Sequence, residues 1–275
     1  MTAARLRTRL AAVAAADRAA LIVYLTAGDP SPAATAAIIG AVADAGADVI
    51  ELGVPFSDPS ADGRAIQAAM ERALRAGGGL VSALAAVAEA RAAGVEVPIV
   101  LFGYYNPIFV HGVDGFAVAA ARAGVDAVLT VDLPIDELDE LAAPLAKHGV
   151  GVIPLIAPTS TPARIARVRA LDPAFVYYIS ITGVTGAAFD LAKVGADRIA
   201  AIREATGAPV AVGFGIKTAA DAALVAAIAD GVVVGSAVVQ CIASAPAGTE
   251  AAAVGAFVAE LRAAMPHAAR PGAAS

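Results

Sequence analysis

Short apolar runs recur along the chain, and the segments between them are alanine-rich with apolar residues at helical spacing. The runs are mostly continuous rather than alternating, which is typical of parallel strands that are covered on both faces. Clear helical segments are 33–46, 80–94 and 137–149. The eight apolar runs lie at 21–26, 48–53, 98–104, 126–133, 150–156, 175–180, 209–215 and 231–235.

Eight strands that alternate with helices in 275 residues predict an α/β protein built as a (β/α)8 TIM barrel. The segment before the first strand, residues 1–18, predicts an extra N-terminal helix. An open, doubly wound sheet is the alternative, but it usually has fewer strands and a GxGxxG motif after the first one. No such motif, Ser/Pro-rich linker or shift in composition is present, so we expect a single domain over residues 1–275.

The composition excludes several classes of protein. Hydrophobic residues make up 59% of the chain, but no apolar run of membrane-spanning length lacks a charge or a breaker. The net charge is −6 and no basic stripe is present, which argues against nucleic acid as a partner. One cysteine, Cys241, excludes a disulfide framework and fits a reducing compartment. We therefore expect a cytoplasmic protein that contacts neither membrane nor nucleic acid.

Three glycine-bearing loops follow the last three predicted strands: GVTG (183–186), GFG (213–215) and GS (235–236). Small residues let backbone N–H groups approach an anion, and a helix that starts just beyond adds its positive end. TIM barrels commonly hold a phosphate at the loops after strands 7 and 8. A tight turn alone also explains a single glycine. Three glycine-bearing loops at adjacent strand ends, however, predict a phosphate site that uses no Lys or Arg side chain.

Carboxylates are the best candidates for acid–base chemistry. No lysine falls inside a predicted strand, as a Schiff-base enzyme requires, and the three histidines are scattered and lack ligand spacing, so we expect no metal site. Glu51 lies within a strand, where burial should raise its pKa and allow proton transfer near neutrality. Asp62 lies in a loop, where we expect it to be hydrated, ionised and mobile. In the alternative interpretation, Glu51 pairs with a structural partner and Asp62 caps the next helix.

Distinctive segments lie along the whole chain. One is ELGVPFSDPSADG (51–63), and the others are YLTAGDP, GYYNPI, VDLP, APTST, YYISITGVTGA, VGFGI and VVVGSAVV. With these segments the chain resembles the tryptophan synthase alpha subunit family over roughly residues 15–265. ELGVPFSDPSADG is similar to the signature of the family's second strand, the other segments match in order, and the joint match is far more specific than any one segment alone.

The resemblance implies retro-aldol cleavage of indole-3-glycerol phosphate to indole and glyceraldehyde 3-phosphate, in tryptophan biosynthesis, without a cofactor. Glu51 would then be the acid and base, and Asp62 would face the indole N–H. Tyr177 and Thr185 carry over as residues near the reacting centre and a closing loop at 183–193. The apolar residues proposed to hold the indole ring are Tyr24, Phe102, Leu129 and Phe214. The residues proposed to hold the phosphate are Gly186, Gly213, Gly215, Gly235 and Ser236.

The resemblance also implies a partner, a pyridoxal-phosphate beta subunit that receives indole in an α2β2 complex. The positions that match this contact are Asp58, Pro59, Asn106 and Pro134. Ser60, Arg64, Val131 and Ile181 depart from the usual family pattern. Arg64 matters most, because a cation near Asp62 either keeps it ionised or diverts it into a salt bridge.

Three other functions stay open from the sequence. One is a lyase that releases indole without a partner, and another is an isomerase-type phosphate-binding barrel. The third is a binding or regulatory subunit without turnover.

Overall fold

The computed structural model describes residues 2–179, 195–213 and 215–265, and its centre is one parallel β-sheet. The strands are β1 Ala20–Thr26, β2 Val49–Gly53, β3 Ile99–Gly103, β4 Ala127–Thr130, β5 Gly151–Val152, β6 Leu155–Ile156, β7 Val176–Ile179, β8 Val210–Gly213 and β9 Gly231–Val234. Their order in the sheet is β5-β4-β3-β2-β1-β9-β8-β7-β6, with the chain's first and last strands paired to each other. This order is that of a curled barrel, so the predicted fold is confirmed.

Helices alternate with the strands. The described helices are α1 Ala4–Ala15, α2 Pro32–Asp44, α3 Arg64–Arg75, α4 Leu80–Ala92, α5 Tyr105–His111, α6 Val113–Ala123, α7 Asp139–Ala146, α8 Pro162–Val168, α9 Ala196–Thr206, α10 Ala219–Ala226, α11 Ser236–Ser244 and α12 Glu250–Ala264. A short 3₁₀ turn, Arg169–Leu171, follows α8. Gly124 and Gly207 end α6 and α9 with φ of 89° and 70°, a left-handed conformation that costs glycine little.

The predicted fifth strand is interrupted. The run 150–156 forms two short strands, β5 and β6, which pair with β4 and β7 respectively. Between them, the Ile153 N–H donates to the Val128 carbonyl at 2.9 Å, and the Pro154 carbonyl accepts from the Tyr177 N–H at 3.0 Å. The expectation of one continuous strand was therefore wrong, because the chain changes partner at a proline that has no N–H to donate. This segment completes the ring between β4 and β7.

Alternate strand residues form two cores. One face of each strand packs against the surrounding helices, as Ile50 and Leu52 of β2 do. The other face fills the barrel interior, together with Leu6 and Val13 of α1, the predicted N-terminal helix. The interior residues contributed by the strands include Ala20, Ile22, Tyr24, Val49, Val100, Phe102, Ala127, Leu129, Tyr177, Ala211 and Val233.

Buried aspartates anchor the barrel rim at which the strands begin. Asp48, just before β2, accepts the Leu21 N–H at 2.9 Å and is contacted by Arg9, Arg18 and Arg262 at 2.6–3.2 Å. These arginines come from α1, the turn after α1, and α12. The two ends of the described chain are therefore tied to one buried carboxylate.

Among the described residues, no single helix is both long and apolar enough to cross a bilayer. The helices α3 and α4, bent by 92° at their junction, together have the length and composition of a membrane span, and nothing beyond length and composition supports one.

Candidate active site

Glu51 points into the barrel because of the pleat of β2. Successive side chains of a strand face opposite sides, and Ile50 and Leu52 on either side belong to the outer core. Glu51 is in register with Tyr24 on β1 and Val100 on β3, and both of these belong to the interior. The predicted location of Glu51 within a strand is thus confirmed.

The Glu51 carboxyl is fully buried and unpaired among the described residues. Its exposed fraction is 0%, and neither Oε1 nor Oε2 has a hydrogen-bond partner in the part of the chain that the structure describes. Burial in this apolar interior raises its pKa to about 8. No described group fits the alternative role of Glu51 as half of a structural pair. A pKa raised into this range suits proton transfer near neutrality.

Aromatic rings cluster in the barrel interior. Tyr24 and Phe102 meet edge to face with their centroids 5.4 Å apart, and Phe102 lies 6.4 Å from Tyr177. Leu129 of β4 belongs to the same interior cluster and is the register partner of Phe102. Three of the residues proposed to hold the ring, Tyr24, Phe102 and Leu129, are therefore together on β1, β3 and β4, and Tyr177 of β7 lies in the same cluster.

Two tyrosine hydroxyls lie against glycines of neighbouring strands. A Cβ at Gly53 would lie 2.1 Å from the Tyr24 hydroxyl, and a Cβ at Gly213 would lie 2.0 Å from the Tyr177 hydroxyl. Gly213 therefore has a packing reason to be glycine as well as the proposed contact with phosphate. Burial raises the pKa of both tyrosines, and the charges of Glu51 and Asp62 raise it further. Both carboxyls thus lie within electrostatic reach of the same two hydroxyls.

Asp62 lies in the loop between β2 and α3 and is more enclosed than its sequence context predicts. It is half-buried, and the Tyr104 hydroxyl donates to its Oδ2 at 2.7 Å. Burial raises the pKa of Asp62, and the hydrogen bond from Tyr104 opposes that rise. The interpretation of Asp62 as a helix cap was wrong, because Gly63 occupies the N-cap of α3 and no side chain caps it.

Tyr104 is a site residue that the sequence reasoning missed. It directly follows β3 and stacks on Phe56 with centroids 4.8 Å apart. The motif GYYNPI contained a signal, since Tyr104 is the last residue of the predicted strand 98–104 and so lies at a strand end. Its partner Asp62 is 42 residues earlier, and nothing local to either residue indicates the contact.

Arg64 does not divert Asp62 within the described structure. Its side chain is exposed at the first position of α3, and no salt bridge joins it to a described carboxylate. The side-chain partner of Asp62 is Tyr104 instead. This departure from the family pattern therefore leaves the carboxylate facing the interior.

The glycine loops after β8 and β9 lie at the same rim. Gly215 follows β8 with φ of 80°, and Gly235 lies between β9 and α11 as the N-cap of that helix. Ser236 is half-buried and starts α11, whose first-turn N–H groups have no intrahelical acceptor. Phe214, Thr185, Gly186 and the proposed closing loop 183–193 lie outside the described residues.

A family model described as "Tryptophan synthase alpha chain" matches residues 10–266. The chain is 50% identical to the tryptophan synthase alpha chain of Burkholderia pseudomallei (strain 1106a) over 270 residues, 98% of this chain and 99% of that one. It is 51% identical to that of Geobacter sulfurreducens over 249 residues, 90% of this chain and 94% of that one. This chain belongs to the tryptophan synthase alpha chain family.

Solved structures of tryptophan synthase agree with the fold. The alpha subunit of Legionella pneumophila str. Paris superposes with a TM-score of 0.89 at 37% identity, covering 96% of this chain and 98% of that chain. A tryptophan synthase of M. tuberculosis in its aminoacrylate-bound form superposes with a TM-score of 0.84 at 36% identity, covering 95% and 99%. The resemblance to the tryptophan synthase alpha family is therefore confirmed over nearly the whole chain.

The residues proposed for the tryptophan synthase partner contact lie at the same rim, Asn106 within α5 and the other three on loops. Asp58, Asn106 and Pro134 are exposed, and Pro59 is half-buried, after β2, β3 and β4. One turn beyond Asn106, α5 exposes two apolar side chains, Phe109 at 61% and Val110 at 76%. The sequence reasoning had not singled out this apolar pair, which gives the proposed contact an apolar centre.

Within the part of the chain that the structure describes, no group of three or more His, Cys, Asp or Glu side chains is placed to hold a metal ion. The chemistry available in this part of the chain is that of carboxyls, phenols and backbone N–H groups.

Proposed function

We propose that this chain catalyses retro-aldol cleavage of indole-3-glycerol phosphate to indole and glyceraldehyde 3-phosphate, as a carbon–carbon lyase. The observation that carries the proposal is the Glu51 carboxyl, which is buried, unpaired among the described residues and in register with Tyr24 on the neighbouring strand. Membership of the tryptophan synthase alpha family supports this substrate and reaction. The steps proposed below need no cofactor.

Glu51 performs two proton transfers in this reaction. In its neutral form, favoured by a pKa of about 8, it donates a proton to C3 of the indole ring. The resulting carboxylate then takes the proton of the hydroxyl on the adjacent glycerol carbon. As that hydroxyl becomes an aldehyde, the C–C bond breaks and its electron pair returns to the ring. Glu51 ends protonated, as it began.

Asp62 stabilises the charge that develops between these steps. Protonation at C3 places positive charge on the indole nitrogen, and a carboxylate beside the N–H lowers the energy of that state. Asp62 suits this role because it acts electrostatically on the same tyrosines as Glu51 and because Tyr104 donates to it. The two carboxyls therefore have different environments and different tasks.

The rest of the pocket binds the two ends of the substrate. The indole ring lies among Tyr24, Phe102, Leu129 and Tyr177, with Phe214 beyond the described residues. The phosphate lies at the backbone N–H groups of Gly213, Gly215, Gly235 and Ser236, at the start of α11. Gly186 and Thr185, with the closing loop, complete the proposal from outside the described part of the chain.

The proposed partner is a pyridoxal-phosphate beta chain in an α2β2 complex. The exposed positions Asp58, Asn106 and Pro134, with the half-buried Pro59, form the proposed contact. Residues 1–275 form one domain in this proposal, supported by the pairing of β1 with β9 that joins the two ends of the barrel.

Indole release from indole-3-glycerol phosphate, measured with the full chain alone and with its beta chain, tests the reaction. We expect turnover in wild type and a loss of about 10²-fold or more in Asp62→Asn, because neutral Asn cannot balance the charge on the ring nitrogen. Wild-type protein that releases no indole under either condition contradicts the proposal and favours an isomerase or a binding subunit.

Asp58→Ala tests the contact with the partner. We expect binding of the beta chain to weaken by about fivefold or more, while the thermal midpoint of the free chain is unchanged because Asp58 is exposed. Glu260→Ala, an exposed acid on α12, is the matched control and should leave binding intact. Equal affinity of the two variants argues against a contact at Asp58.

A further inference from the structure

The Tyr104 hydroxyl bridges two consecutive residues of the loop between β2 and α3. It donates to Asp62 Oδ2 at 2.7 Å and accepts the Ala61 N–H at 3.0 Å. One phenol therefore holds both the carboxylate and the main chain beside it. Hydrogen bonds to an ionised carboxylate are shorter and stronger than neutral ones.

The position of that hydroxyl is set by packing rather than by Asp62. Tyr104 is only 4% exposed, and its ring stacks on Phe56 at an interplanar angle of 29°. The loop is held independently from α3, because the Gln67 amide donates to the Asp62 carbonyl at 2.8 Å. The donor and the acceptor are therefore each fixed by separate contacts, so the hydrogen bond aims the carboxylate.

The other groups that act on this site are themselves neutral or negative. The negative charges of Asp62 and Glu51 raise the pKa of Tyr24 and Tyr177, and the charge of Asp132 raises the pKa of Tyr104. In the described residues, Asp58 is exposed on the same loop, and Arg64 has no salt bridge to a described carboxylate. Tyr104 is thus the described side chain that favours the ionised form of Asp62.

We propose that Tyr104 is a positioning residue for the lyase reaction, whose hydroxyl holds the Asp62 carboxylate ionised and directed at the ring nitrogen of the substrate. This inference rests on the proposed function and adds a residue to it. Tyr104 transfers no proton itself. Burial and the neighbouring Asp62 carboxylate raise its pKa, so the phenol remains a donor across the neutral range.

Tyr104→Phe removes the hydroxyl and keeps the stacked ring. Tyr105→Phe is the matched control, because it deletes the same atom from the next residue, whose hydroxyl donates to Glu140 instead. In the full chain labelled with ¹³C-aspartate, the Asp62 carboxyl signal is assigned by its loss in Asp62→Asn. We expect this signal to titrate at higher pH in Tyr104→Phe than in wild type and to be unchanged in Tyr105→Phe.

The kinetic readout is the ratio of variant to wild-type kcat/KM at each pH, measured with the beta chain present. Because Glu51 titrates in both wild type and variant, its contribution to the pH dependence of kcat/KM cancels in this ratio. We expect a loss of about tenfold on the acid side, which shrinks towards wild-type activity as rising pH ionises Asp62 without help. Tyr105→Phe should stay at the wild-type ratio throughout.

Either of two results overturns the inference. One is an Asp62 titration that is the same in wild type and Tyr104→Phe. The other is a loss of kcat/KM that is equal at all pH values, as a purely structural role predicts. Should wild type release no indole, the proposed function fails, while the carboxyl titration still decides whether Tyr104 controls Asp62.

Discussion

The Tyr24 hydroxyl occupies the position where a side chain at Gly53 would begin. The two residues lie on adjacent parallel strands, and a Cβ at Gly53 would be 2.1 Å from the hydroxyl oxygen and 2.5 Å from the ring carbon that carries it. Tyr24 reaches across β2 only because Gly53 has no side chain. The ring, which contacts Phe102 edge to face, is thereby held beside Glu51.

Gly53→Ala should displace Tyr24 from this position. We expect a loss of about 1 to 3 kcal/mol in the free energy of unfolding, because the barrel interior has no room for the added methyl group. Indole release should fall as well, since the ring pocket changes shape. Denaturant unfolding and the lyase assay measure the two effects.

Gly40→Ala is the control for this substitution. Gly40 lies inside α2, and a Cβ there would meet nothing within 4 Å. Alanine in a helix interior should stabilise the chain by up to about 1 kcal/mol. A Gly53→Ala variant as stable and active as this control shows that Tyr24 does not depend on Gly53.

Glu51→Gln should remove the proton shuttle and keep the shape of the pocket. We expect a loss of about 10² to 10⁴ in indole release, the usual contribution of a positioned acid or base. In wild type, kcat/KM should fall as pH rises above about 8, because the neutral acid that protonates the ring is then lost. Near wild-type turnover in a folded Glu51→Gln variant disproves the role of Glu51.

Glu51 should also make stability depend on pH. Its pKa is raised from 4.5 to about 8 in the folded chain, so the folded state holds a proton that the unfolded state releases between those values. Stability relative to the non-ionising Glu51→Gln variant is therefore greatest below about pH 4.5 and decreases until about pH 8. Between these pH values, the free energy of unfolding relative to that variant should fall by roughly 3 to 5 kcal/mol in total. A difference that is constant over this range contradicts a raised pKa.

Asp48→Asn should destabilise the barrel without touching the catalytic pocket. Asp48 is fully buried and contacts three arginines, so its loss leaves those cations without their counter-ion. We expect the free energy of unfolding to fall by about 3 kcal/mol, as measured by denaturant unfolding. The loss is not larger because the arginines are partly exposed to water. Asp114→Asn, which removes an exposed pair with Lys147 at 3.9 Å, should cost less than about 1 kcal/mol. Similar losses in both variants argue against a special role for Asp48.

Much of the fold and part of the site follow from local patterns. Continuous apolar runs indicate parallel strands, and the two-residue pleat then directs Glu51 inward once Ile50 and Leu52 face the helices. The segment 150–156 is the exception, since its break at Ile153 and Pro154 depends on which neighbour each half pairs with. Composition along a segment does not specify its partners in a sheet.

The sequence by itself determined the barrel, the family and the carboxylates that are proposed to do the chemistry. Only the tertiary structure decided the surroundings of those carboxylates. Glu51 has no partner among the described residues because five-residue β2 is enclosed by its neighbours, and Asp62 accepts a hydrogen bond from Tyr104, far along the chain. Periodicity reports which face of an element is buried, whereas contacts between distant side chains exist only after the strands are brought into register.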